Sequence, residues 1–259
     1  MGKVLFKTGL TVFLHLFVIR FAVIALILSI PLLGISQFND STHYYIGLAS
    51  TGTYNKTNIN TTFLLSNTLR AGIRHKKYAF NTMNKFLYGE NGVKLVNRDL
   101  SSVWDFNYYT KVKRLYAWSL LTYNSIYSLK VNHQLQTGMG LAYDLIDNQK
   151  VQVNISNGLL YDFSDVVLND STNDKYQTFR NSFRLQYKMT AGNLNFRVVG
   201  FIQNSFEYKS DFIIKSDATL AYRLRKFLSL TMQASYNRMN RTGRETLFVT
   251  YGLSFEKYF

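Results

Sequence analysis

Over most of this chain apolar and polar residues take turns, and no other feature so narrows what it can fold into. In "KVQVNISNGLLYDFSD" the residues Val151, Val153, Ile155, Leu159, Tyr161 and Phe163 share one parity. Gln152, Asn154, Ser156, Gly158 and Asp162 share the other. Period two is strand geometry, with one face apolar and one polar. The pattern recurs along the sequence. Ile59, Phe63, Leu65, Leu69 and Ile73 oppose Ser66 and Arg70, and Tyr78, Phe80, Phe86 and Tyr88 oppose Asn81 and Lys85. Val131, Leu135, Met139, Leu141 and Tyr143 oppose Gln134, Gln136, Gly138 and Gly140. Phe179, Phe183, Leu185 and Tyr187 oppose Arg180, Ser182, Arg184 and Lys188. Phe212, Ile214, Leu220 and Tyr222 oppose Asp211, Lys215 and Asp217, and Leu230 and Met232 oppose Thr231 and Gln233.

Counting such runs gives about twelve strands, many of the ~9 to 11 residues that cross a bilayer at a tilt. A water-soluble β-sandwich also alternates, but its strands run ~5 to 6 residues and its turns carry Pro and Gly. Here the single Pro is Pro31, near the amino terminus, and aromatic residues reach 16% of the chain. These observations favour an all-β, antiparallel, up-and-down transmembrane β-barrel, closed so that no strand edge meets hydrocarbon. The expected interfacial aromatics are Tyr44, Tyr45, Tyr88, Trp104, Tyr108, Tyr116, Trp118, Tyr161, Tyr208, Tyr222, Tyr236 and Tyr258.

The amino terminus reads as an export signal. Met1 to Lys7 is short and basic, "FAVIALILSIPLLG" (21–34) is an apolar core, and Gly34-Ile35-Ser36 offers small residues for cleavage. The competing reading is one spanning helix over Val12 to Ile35, which would have to carry His15 and Arg20 through the membrane. The domain division is therefore 1–36 signal peptide and 37–259 barrel, with the cell outer membrane of a Gram-negative bacterium as destination. Short inner turns at 74–77, 111–114, 147–150, 191–193 and 224–226 imply that both barrel ends lie on the periplasmic side, and the longest irregular outer stretch is expected at Ser164 to Asp174.

The carboxy-terminal "LFVTYGLSFEKYF" resembles the β-signal read by the outer-membrane barrel assembly machinery, with Tyr251, Gly252, Leu253, Phe255 and Phe259 at the expected positions. Lys257 departs from that pattern. The opening "YYIGLASTGTYNKTNINTTFLLSNTLRAGIRHKKYAF" resembles the DUF481 family of salt-induced outer-membrane proteins. Ser50-Thr51-Gly52-Thr53 stands where that family has its first turn, with Thr53 in place of the usual Asn, and Asn58 to Thr62 stands in its Thr-rich second strand. The resemblance implies a barrel and brings no reaction or ligand.

No chemistry-bearing motif emerges, so no catalytic residue, metal site or cofactor is assigned and the chain reads as a non-enzyme. His133 shares parity with Leu135 and faces lipid, His43 precedes the first strand, and His75 sits in a turn. A membrane-embedded hydrolase would need a His-Ser pair that is not visible. The net charge of +15 falls to +12 once Lys3, Lys7 and Arg20 are set aside. Nucleic acid is not the expected partner, because the aromatics alternate on the lipid parity instead of interleaving with basic residues on one surface. Outer-membrane lipid is. On the inward parity, Arg180, Arg184, Lys188, Arg197 and Lys215 form a basic cluster, with Asp162, Asp211 and Asp217 as acids. Two readings follow: a small passive pore with a basic lumen that favours small anions, or a structural or salt-stress barrel whose lumen is plugged by ion pairs.

Overall fold

The computed structural model describes residues 43–57, 60–168 and 172–259. The expected leader, 1–36, and Ile59 lie outside them. Twelve strands follow one another: β1 (Tyr44–Lys56), β2 (Thr61–His75), β3 (Tyr78–Asn91), β4 (Lys94–Tyr109), β5 (Leu115–Ile126) and β6 (Val131–Asp147). Then come β7 (Val151–Leu168), β8 (Thr172–Ala191), β9 (Leu194–Ser205), β10 (Phe212–Arg223), β11 (Leu228–Met239) and β12 (Arg244–Tyr258). Each pairs antiparallel with its chain neighbours, and β12 returns to β1, so the sheet closes. Closure extends to the ends of β1 and β12: the His43 amide donates to the Phe259 carbonyl at 2.8 Å, and the Phe259 amide donates to the Tyr44 carbonyl at 2.8 Å.

The alternation becomes two surfaces. Leu69, Phe106, Leu141, Phe163, Leu185 and Leu230 are exposed on the outside, while Thr51, Gln136, Ser156, Thr178, Gln233 and Thr250 are buried inside. An apolar belt around a polar interior is the arrangement of a barrel that spans a bilayer, because every backbone group is satisfied between strands and the outer side chains meet hydrocarbon. The belt has polar interruptions that bond to one another: Ser50 donates to Asn67 at 2.8 Å, and Ser102 to Asn84 at 2.7 Å.

Four features differ from the sequence reading. The stretch Ser164 to Asp174 is mostly strand, because β7 runs to Leu168 and β8 starts at Thr172, their register continuing through Val166↔Asp174 and Leu168↔Thr172. Among described connections the longest between strands at that end is instead Phe206–Asp211. Ser50–Thr53 lies within β1, paired with Leu64 to Asn67 of β2, and beyond the strand ends the Thr57 amide donates to the Asn60 carbonyl at 2.8 Å. His75 closes β2, leaving the turn to Lys76 and Lys77. Val131, expected to face lipid, is buried inside, because a bulge between Val131 and His133 adds a residue and reverses the parity.

The aromatics divide as well. Tyr44, Trp104, Tyr108 and Tyr222 are exposed outside. Tyr45, Tyr116, Trp118 and Tyr258, expected in the girdles, point inward. Tyr45 and Tyr258 stack with centroids 5.7 Å apart. Gly72 makes room for them: a Cβ there would come within 2.3 Å of the Tyr45 ring.

Candidate functional site in the barrel lumen

The strands fill the outer end of the lumen unevenly. On the side of β6, β7, β8, β10 and β11, Leu129, Val131, Val166, Tyr176, Ile213 and Met239 form an apolar cluster. Bonded to it is a layer centred on Arg180, which is fully buried. Arg180 Nε donates to Asp162 Oδ2 at 2.5 Å, Nη2 to Asp211 Oδ2 at 2.8 Å, and Nη1 to Asp211 Oδ1 at 3.1 Å. Nη2 also reaches the Tyr176 hydroxyl at 3.1 Å. Gln134 and Gln136 amides donate to the same Asp162 carboxylate at 3.3 and 3.2 Å, and Ser164 Oγ donates to its other oxygen at 2.7 Å. One arginine between two carboxylates, with the remaining lone pairs taken by amides and a hydroxyl, satisfies a buried network of this kind. Arg241 extends it at the rim, donating to Asp174 at 2.8 Å and lying 3.5 Å from Asp211, with its guanidinium 3.8 Å from the Tyr176 ring centroid.

The rest of the lumen holds a cavity of about 490 Å³, which runs inside the wall, touching Asp99 and Ser128 toward one end and Tyr45, Tyr109 and Tyr116 toward the end where His43 meets Phe259. Arg70, Arg184, Arg197 and Lys215 line it. Arg184 Nη2 donates to the Tyr116 hydroxyl at 3.1 Å and to Asn154 at 3.0 Å, and Arg197 Nη2 to Gln186 at 3.1 Å. All these partners are neutral. Lys188 stands directly across from Arg197 in the β8–β9 register. Asp217 faces the cavity and lies 3.8 Å from Lys85. Arg74, at the terminal end, sits 4.7 Å over the Tyr109 ring.

The five basic residues read from the sequence therefore separate into two roles. Arg180 is consumed by Asp162 and Asp211 and has no exposed surface, so it does not line the path. Arg184, Arg197 and Lys215 line it and Lys188 adjoins Arg197, while Asp217 is engaged by a lysine outside the expected set. Arg70 was missed, although its inward parity beside Ser66 was legible. Trp118 was misplaced. Its indole lies across Gly140 and Gly158, where a Cβ would come within 2.6 and 2.4 Å of Cζ2, and its Nε1 donates to the Leu141 carbonyl at 3.3 Å. Three glycines on the inward parity of adjacent strands, Gly138, Gly140 and Gly158, were the available signal for a large inward ring nearby.

The terminal strand places Tyr251 and Leu253 on the outer face, with Gly252 inward, and pairs Phe255 with Leu48. A Cβ on Gly252 would meet the Ser50 carbonyl at 2.2 Å. Lys257, the departure from the β-signal pattern, holds its ammonium 4.7 Å from the Phe259 ring centroid. His133 is exposed, its Nδ1 2.8 Å from the Tyr123 hydroxyl, and the His43 and His75 rings lie 6.0 Å apart. Among the described residues no group of three or more His, Asp or Glu side chains is placed to hold a metal ion.

No protein-family model matches the chain, and no curated protein is similar to it. Solved structures are similar in fold. The translocator domain of autotransporter NalP from Neisseria meningitidis superposes with a TM-score of 0.50 at 8% identity, over 85% of this chain and 90% of that one. The NanC porin gives 0.48 at 10% identity over 82% and 98%. An outer membrane channel from Pseudomonas putida F1 gives 0.46 at 9% identity over 89% and 100%.

Proposed function

We propose that the chain is an outer-membrane channel of a Gram-negative envelope, passing small anions through a narrow basic lumen. One observation carries this reading: Arg70, Arg184 and Arg197 face a continuous cavity, and none of the three forms an ion pair with a described carboxylate. Low-dielectric walls concentrate the field of such unneutralised charges along the path. Lumen charges in barrels of this kind set selectivity more than stability.

Export after cleavage at Ser36, insertion by the barrel assembly machinery through the Tyr251-to-Phe259 segment, and the resemblance of the opening hairpin to the DUF481 family belong to the same proposal and accord with the membrane barrel. A second reading, a structural or salt-stress barrel with a closed lumen, is favoured by the Arg180 network and the apolar cluster beside it. Charge reversal separates the two. In planar bilayers, Arg184→Glu with Arg197→Glu is expected to move the channel's preference from anions toward cations while leaving the amount of folded barrel unchanged. Absence of conductance in both forms supports the closed barrel, and unchanged anion preference removes the role given to these arginines.

A further inference from the structure

The cavity is less polar than a path for simple ions requires. Val103 of β4, Leu120 of β5, Val199 and Phe201 of β9 and Phe248 of β12 all turn inward and line it, half-buried. In a purely aqueous pore these positions would carry hydroxyl or amide groups, as Thr122, Gln136 and Gln233 do elsewhere on the same wall. Trp118, only 8% exposed, adds an aromatic edge beside them. The guanidinium groups are also incompletely used, since Nε of Arg70 and of Arg184 is buried without a hydrogen-bond partner. A cavity of about 490 Å³ lies in the range of sites for small organic ligands, which combine apolar walls with a few convergent polar groups.

From this juxtaposition we infer that the lumen holds a binding site for aryl carboxylates, the carboxylate on Arg70, Arg184 and Arg197 and the ring against Val103, Val199 and Phe201. β9 displays the arrangement in a single row. Arg197, Val199 and Phe201 occupy successive inward positions, and two residues of strand advance about 7 Å. A carboxylate held at Arg197 thus sets its ring one step along, against Val199. Planar guanidinium groups bind carboxylates in a bidentate fork and lose less on desolvation than ammonium groups. Of the carboxylates in the cavity wall, Asp217 lies by Lys85, while Asp105 and Asp99 accept from neutral groups, Asp105 from Asn81 at 3.1 Å and from Asn107, and Asp99 from Ser128 at 2.7 Å and Asn97 at 3.2 Å.

The inference rests on the anion-channel reading but is tested apart from it. The sequence contains two tryptophans, and Trp104 faces outward at 49% exposure, so Trp104→Phe leaves Trp118 as the reporter in detergent-solubilised protein. Benzoate is expected to change Trp118 fluorescence saturably, with acetate at least about tenfold weaker, since only benzoate buries a ring against the apolar wall. Arg184→Gln with Arg197→Gln should weaken benzoate about tenfold or more, because the charge-assisted hydrogen bonds to its carboxylate are lost. Val199→Asn should weaken benzoate while leaving acetate unchanged, and the folded state of each variant is checked by its heat-modifiable migration. Equal affinity for benzoate and acetate, or no saturable response in the Trp104→Phe protein, overturns the inference. Chloride conductance in bilayers without benzoate binding removes the site and leaves the channel. Benzoate binding without conductance leaves the site and removes the channel.

Discussion

Replacing Arg180 by Met tests whether the outer end of the lumen is held by charge. The side chain is fully buried, makes three hydrogen bonds to two carboxylates, and lies in a layer where Asp162 is likewise sealed from solvent and Asp211 is 3% exposed. Methionine fills much of the volume but leaves Asp162 with only neutral donors and Asp211 with only Arg241, 3.5 Å away. Breaking a buried pair by removing one partner costs about 3–5 kcal/mol, and because two carboxylates lose one cation the upper part of that range is expected. Equilibrium urea unfolding in detergent or lipid vesicles, followed by tryptophan fluorescence, measures the loss. Asp162→Asn and Asp211→Asn, added to the Arg180→Met background, should recover at least half of the deficit at neutral pH, since the amides remove the bare charge. A loss below about 1 kcal/mol, or no recovery on adding the two Asn substitutions, would refute the account of this layer.

Two further outcomes follow from the same structure and a third from the amino-terminal sequence. Gly158→Val places a side chain where even a Cβ lies 2.4 Å from Trp118 Cζ2 and from the Met139 carbonyl, so the indole must leave its seat, at a cost of about 1–3 kcal/mol or more and with loss of the Trp118 near-ultraviolet dichroism. Deleting Phe259 removes the backbone bonds that join the ends of β1 and β12, the 2.8 Å bonds to His43 and Tyr44, and should lower the amount of heat-modifiable barrel recovered from membranes; unchanged recovery would argue against the terminal recognition role. Amino-terminal mass analysis of the membrane-inserted protein should find Gln37 first, and retention of Met1 would contradict cleavage after Ser36.

The barrel was legible because its two surfaces meet different solvents, and period-two alternation states that difference at every strand. Leu185 and Arg184, adjacent in sequence, go to lipid and lumen as their parity requires. Parity fails where the ladder is irregular. The bulge before His133 sends Val131 inward, and only the pairing of β6 with β7 reveals it. Parity also says nothing about which inward groups find each other. Arg180 and Arg184 are equivalent in the sequence, yet one meets Asp162 and Asp211 and the other meets Tyr116 and Asn154, because the partners come from strands brought alongside by closure. The aromatics were harder still. Tyr45 and Trp118 carry the residue types of a membrane girdle, and what turns them inward is space created by Gly72 on one neighbouring strand and by Gly140 and Gly158 on two others.

The central claim is that unpaired arginines line an open path. It is met most directly by the zero-current potential of the wild-type protein in a planar bilayer separating concentrated from dilute potassium chloride. The account predicts discrete conductance steps and a potential displaced from zero toward the chloride equilibrium value, and displacement toward the potassium value, or a bilayer that stays silent, would contradict it.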